Sequence, residues 1–149
     1  MTLVNKLRET LKEALKQQDK TQTSTLRLLL SEIKNAEIAQ QKSLDDDKTL
    51  NVISMEVRRH RESIEAFKQG NRDDLVAQEE AELNILTSYL PRQMNREEIM
   101  AAARQTIDTV QARGIRDKGK VMSQLMPQLK GKAEGKEISE IVSQLLASA

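Results

Sequence analysis

Apolar side chains recur along this chain at steps of three and four, the period of a helix with one buried face. The first stripe, Leu3/Val4, Leu7, Leu11 and Ala14/Leu15, follows Thr2, a residue suited to capping a helix start. Gln17-Gln18-Asp19-Lys20 interrupts it. A second stripe over 21–40 aligns Leu26, Leu29/Leu30, Ile33, Ala36 and Ala39/Gln40. The third begins at Asp45 or Asp46, whose carboxylates suit the positive end of a helix dipole. It runs to about Gln69, a length of about 37 Å at roughly 1.5 Å per residue. Along it Leu50, Ile53, Val57, His60, Ile64 and Phe67 form a strict heptad seam. Gly70-Asn71 separates this stripe from a fourth, made of Leu75/Val76, Glu79, Leu83, Leu86 and Leu90.

Long helices joined by short connections pack as antiparallel neighbours. The expected fold is therefore all-α, with an N-terminal domain (1–91) of long antiparallel helical hairpins. The boundary falls at Leu90-Pro91-Arg92-Gln93-Met94-Asn95, because Pro91 disfavours helix in the residue before it. Asn95 followed by Glu98 then reads as an N-cap with its capping-box partner. Beyond it, 92–149 reads as a compact three-helix domain with helices over 96–112, 117–126 and 136–147. Gly114, Pro127 and Gly131/Gly135 are the expected breaks between them.

Composition agrees with helices and excludes several chemistries. Phe67 and Tyr89 are the only aromatics, so Leu, Ile, Val, Met and Ala must fill the core, as a bundle permits. Absence of cysteine rules out disulfides and thiolate chemistry. The first residues are charged throughout, without the apolar core of a signal peptide, and no apolar window is long enough to span a bilayer. The expected location is cytoplasmic and no membrane partner is expected.

Net charge is only +1, but it is unevenly placed. Residues 1–91 carry a balance of −2 and residues 92–149 one of +3. Between Arg113 and Lys136 seven basic residues meet two acids. This is where glycines and uncompensated positive charge coincide.

The remaining sequence shows no catalytic constellation. His60 lies on the heptad seam among Arg58, Arg59 and Arg61, which supply no orienting carboxylate. It reads as a polar residue fixing hairpin register, and no metal site or cofactor is expected. Glu79-Glu80, Glu82 and Glu97-Glu98 read as solvated helix faces. Gly119-Lys120 lacks the upstream glycine of a P-loop. In the basic segment, Gly131 and Gly135 allow close backbone approach, and amides opening the last helix suit phosphate oxygens. Lys118, Lys120, Lys130, Lys132 and Lys136 are placed to surround such a group. The plainer alternative is a solvated loop whose lysines serve solubility.

The ordered set Gly119-Lys120-Val121-Met122, Leu125-Met126-Pro127, Lys130-Gly131-Lys132-Ala133, Gly135-Lys136 and Ile141-Val142 resembles the C-terminal domain of the GatB/YqeY family. That domain is similar to the tail of the B subunit of tRNA-dependent amidotransferase. Upstream, Leu26-Arg27-Leu28-Leu29, Lys34-Asn35, Arg61-Glu62-Ser63-Ile64, Arg72-Asp73-Asp74-Leu75 and Tyr89-Leu90-Pro91-Arg92-Gln93-Met94 resemble free-standing YqeY-like proteins, so the resemblance covers essentially the whole chain. Relatives commonly place Asp or Asn, sometimes followed by Pro, where this chain has Glu134-Gly135. Glutamate is a weaker N-cap, which predicts a later start to the last helix and a looser loop.

The resemblance implies a non-catalytic accessory protein of tRNA-dependent amidotransferase machinery. The family label of glutamine-dependent carbon–nitrogen ligase activity would then be inherited from the amidotransferase. The implied partner is tRNA, its backbone held by Arg113, Lys118, Lys120, Lys130, Gly131, Lys132, Gly135 and Lys136. Arg27, Lys34, Arg58, Arg59 and Arg61 are candidates for a second contact. The alternative is an adaptor for a tRNA-modifying or aminoacylating enzyme that uses the hairpin surface. No oligomeric state is assigned.

Overall fold

The computed structural model describes residues 1–148. It contains helices and no strand among the described residues. The chain divides into two compact units, residues 1–90 and the segment from Pro91 onward. None of the described helices is long and apolar enough to cross a membrane.

The first unit holds α1 (Leu3–Lys16), α2 (Lys20–Gln40), α3 (Asp46–Gln69) and α4 (Asp73–Thr87). Each of the first three starts where a side-chain oxygen can satisfy an otherwise orphaned amide. Thr2 accepts from the Asn5 N–H, Asp19 from Gln22 and Asp45 from Lys48. Asp46 also accepts the Leu3 N–H at 2.9 Å, tying the start of α1 to that of α3.

Several helix ends are closed by left-handed residues, and none of the four in non-glycine positions is β-branched: Gln18, Gln41, Asn71 and Gln111. At the α3–α4 turn the left-handed residue is Asn71, not Gly70. Arg72 and Asn71 return their N–H groups to the carbonyls of Phe67 and Lys68, closing a Schellman turn.

The core of this unit joins all four helices. Val4 and Leu7 of α1, Leu26, Leu29 and Ile33 of α2, Ile53 and Val57 of α3 and Leu86 of α4 are buried together. The helices form two hairpins, α1 with α2 and α3 with α4, and α2 also packs on both α3 and α4. The heptad seam of α3 is the buried one, with Ile53, Val57, His60 and Ile64 inside.

The second unit holds α5 (Arg96–Val110), a 3-10 turn (Ile115–Asp117), α6 (Lys118–Leu129) and α7 (Gly135–Ala147). Asn95 and Glu98 exchange the two bonds of a capping box. Ile99, Ala103, Val121, Leu125, Leu129, Ile138, Ile141, Val142 and Leu146 make the core.

Three boundaries differ from those expected in ways that packing or turns explain. α5 ends at Val110 rather than 112, because Gln111 turns left-handed and the Ala112 N–H closes back on Ile107. α6 runs through Pro127 to Leu129 instead of stopping at 126. Pro127 lies in the last turn, and the burial of Leu129 beside Leu125 carries the helix past it. α7 starts at Gly135, not later. Glu134 provides no side-chain cap, but the Ile138 N–H bonds its carbonyl at 3.0 Å and Ile138 is buried.

A left-handed glutamine is strained where glycine would not be. Replacing Gln41, which is exposed and has φ of 59°, by glycine should therefore stabilise the fold. The expected gain is about 0.5–1 kcal/mol in urea unfolding. A loss of stability would show that the Gln41 side chain, not its backbone, matters there.

Candidate nucleic-acid interface and a buried histidine cluster

The basic residues are gathered at the two ends of α6. Lys118 and Lys120 sit in its first turn, with Arg113 and Arg116 just before it. Lys130 and Lys132 follow its last residue, and Lys136 opens α7. Twelve residues of α-helix span about 18 Å, so these cations do not surround a single phosphate as expected from sequence. They form two groups.

The group at the α7 end is rigidly supported. Lys130 (φ −56°, ψ 123°) and Gly131 (φ 76°) occupy the central positions of a type II turn, closed by the Lys132 N–H on the Leu129 carbonyl at 2.9 Å. Residues after the domain boundary hold this turn. Lys132 O accepts the Met94 N–H at 2.8 Å, and Gln93 Nε2 donates to the carbonyls of Gly131 and Pro91 at 2.7 and 2.8 Å. The looser loop expected from Glu134-Gly135 is not found. Gly131 is required by its positive φ, and a Cβ there would lie 3.4 Å from Pro91. Its role is therefore the turn, not open access for a ligand.

The group at the α6 start breaks a local rule. A helix N-terminus is the positive end of its dipole, yet its first turn carries two lysines, no acid and no side-chain cap. Asp117, the nearest carboxylate, instead accepts the Arg113 N–H at 2.9 Å. Gly119 lies in this turn with nothing within 4 Å of where a Cβ would be. Neither conformation nor packing asks for glycine there. Among the described residues, none of Arg113, Lys118, Lys120, Lys130, Lys132 and Lys136 has a side-chain ion pair. All but half-buried Lys118 are exposed. Gly135 is exposed at the first position of α7, against Met126.

Two of the basic residues proposed on the hairpins, Arg58 and Arg59, are differently placed. Arg58 pairs with Glu62 at 3.2 Å, and Arg59 with Glu56 at 2.6 Å and Glu32 at 3.6 Å. Their charge serves the first unit itself.

Sequence reasoning missed a second constellation. His60 is buried, and its Nδ1 lies 2.9 Å from the Glu56 carbonyl. Its Nε2 lies 3.1 Å from Glu82 and 3.6 Å from Glu79. The carboxylates that its own helix does not supply come from α4. A signal was available: His60 and Glu82 each lie eleven residues from Asn71, so an antiparallel hairpin brings them together. Glu79 also stood in an otherwise apolar stripe. Burial pushes the Glu79 carboxyl above its ordinary value; His60 opposes this and the neighbouring Glu82 adds to it.

An all-helical protein with a helical-hairpin unit and a small helical unit carrying paired cation groups is thus defined. The chain belongs to the YqeY family: it matches the family described as "Yqey-like protein" over residues 4–146. Curated relatives are named "Altered inheritance of mitochondria protein 41, mitochondrial". That of Lachancea thermotolerans is 42% identical over 88 residues, covering 58% of this chain and 47% of the relative. That of Saccharomyces cerevisiae (strain YJM789) is 36% identical over 88 residues, 58% of this chain and 48% of the relative. That of Pyrenophora tritici-repentis is 29% identical over 145 residues, 92% of this chain and 79% of the relative. The matches to the first two thus span about half the length of those relatives.

These names correct the expectation of a cytoplasmic location, since they point to mitochondria. The physical reason is plain. The expectation rested on composition, which does not separate one aqueous compartment from another.

The Glu56–Arg59 pair gives a test of the hairpin. Glu56 is buried and Arg59 half exposed, so Arg59→Ala strands a carboxylate and should cost about 1–3 kcal/mol in urea unfolding. A loss no larger than that of Arg58→Ala, which breaks only an exposed pair, would show that water replaces the guanidinium freely.

Proposed function

We propose that this YqeY-family protein is a non-catalytic accessory protein that grips an RNA backbone, with tRNA as the RNA, through its C-terminal unit. The observation that carries the reading is the pair of uncompensated cation groups at the ends of α6, about 18 Å apart. Such spacing suits an extended polyanion, whose charges recur along several nucleotide steps, better than a small phosphorylated ligand. The absence of aromatics beside the lysines fits recognition by phosphate and shape rather than by base stacking. The resemblance read from the sequence to the amidotransferase B-subunit tail supports the choice of tRNA and of a role beside tRNA-dependent amidation.

Binding of bulk tRNA to the full chain across a salt series tests this. Lys130→Gln, Lys132→Gln and Lys136→Gln combined should weaken binding about tenfold or more. The slope of log affinity against log salt should fall by roughly 2–3. Unchanged affinity in a folded triple variant would sink the reading.

Gly119→Ala separates the α6 end from simple stability. Alanine in a helix is favoured over glycine by about 1 kcal/mol, so the variant should be more stable yet bind tRNA several-fold more weakly. A variant that gains stability and keeps full affinity would remove the α6 start from the interface.

A second reading, an adaptor for a tRNA enzyme, is favoured by one observation. A cleft of about 510 Å³ between α2 and α3 is lined partly by Ala36, Leu44, Val52 and Met55, and Met55 is 57% exposed. Failure of the full chain to bind tRNA at low salt would move the function there.

A further inference from the structure

We infer that His60, Glu79 and Glu82 form a binding site for a first-row divalent cation, Zn²⁺ by the character of its ligands. Their three ligand atoms lie within 4.8 Å of one another, on facing sides of the α3–α4 hairpin. The inference is independent of RNA binding, which uses the other unit.

The hydrogen-bond arithmetic calls for a proton or a cation at this point. The Glu56 carbonyl can only accept, so the bond at 2.9 Å makes His60 Nδ1 the donor. Nε2 is then the nitrogen turned to the two carboxylate oxygens, at 3.1 and 3.6 Å. A lone pair facing two anionic oxygens is repulsive unless a proton or a metal ion lies between them. The 3.1 Å contact with Glu82 lies within hydrogen-bond range, and the pair of distances also fits a metal. A charge-assisted N–H to carboxylate bond settles at about 2.7–2.9 Å to one oxygen, shorter than either separation here. A tetrahedral zinc with bonds of about 2.0–2.2 Å places its ligand atoms about 3.4 Å apart, and the two observed separations straddle that value.

The surroundings suit a metal as well. A ligating imidazole ordinarily donates its other N–H to a carbonyl or carboxylate, which fixes the tautomer and orients the ring. The Glu56 carbonyl does this for His60. Glu79 and Glu82 are three residues apart on α4 and so share one face. Arg58 and Arg59, two of the three arginines flanking His60 on α3, are engaged by Glu62 and by Glu56 and Glu32. Three protein ligands leave at least one position for water, as in open zinc sites. A nitrogen ligand together with two carboxylates selects Zn²⁺ over Mg²⁺, which keeps an all-oxygen octahedral shell.

The test is calorimetric titration of the full, untagged chain with Zn²⁺ after treatment with chelator, in parallel with Mg²⁺. One Zn²⁺ per chain is expected, with no Mg²⁺ binding at millimolar concentration. His60→Gln, which keeps a polar group on the seam, should lower zinc affinity at least a hundredfold. Should that variant misfold, Glu79→Gln serves instead, since its side chain is partly exposed. Co²⁺ should give a visible d–d band in the unaltered chain that is absent from the variant. No zinc binding, or equal binding by the unaltered chain and the folded variant, overturns the site. So does a His60 ring that nuclear magnetic resonance shows doubly protonated with zinc present.

Discussion

A helix with one apolar face has to bury it against a neighbour, and with almost no aromatic residues that burial depends on many close aliphatic contacts. In the first unit α2 meets the demand centrally. Leu26, Leu29 and Ile33 are all but inaccessible and pack with residues of α1, α3 and α4. Complete burial of such side chains is worth roughly 1.5–3 kcal/mol each. The hairpins thereby become one core rather than two separate ribbons. The second unit solves the same problem on a smaller scale, with α6 and α7 giving most of the buried residues.

Departures from local preference divide into two kinds. Left-handed Gln18, Gln41, Asn71 and Gln111 are departures that the fold itself uses, because each ends a helix and lets the chain turn back. Lysines at the positive end of α6, beside a glycine with open space around it, do nothing for packing or helix electrostatics. That departure is what motivates the RNA-binding role proposed for this end of α6.

The two candidate sites also differ in how they are held. Lys130 and Lys132 belong to a turn whose backbone is fixed by Gln93 and Met94, so their charges project from a firm support. His60 and its glutamates instead depend on the register of one hairpin. A slip of a single residue between α3 and α4 would take Glu82 off the imidazole. Stability of that hairpin and integrity of the cluster are therefore the same property.

The residues alone determined the helices and most of their ends. Spacing of apolar side chains, capping residues and the Pro91 boundary are local signals, and local physics fixes them. Where helices overran or stopped short of expectation, a tertiary term or a left-handed turn had won. Leu129 pulls α6 through Pro127, Ile138 starts α7 at Gly135 without a good cap, and Gln111 ends α5 early. The basic segment was legible as charge, and the extension of α6 to Leu129 sets its two parts at opposite ends of one helix. The histidine cluster was hidden for a related reason. Its carboxylates lie about twenty residues from His60 and meet it through helix pairing, which no local pattern encodes. Sequence sets what each helix can bury; packing decides which side chains then face one another.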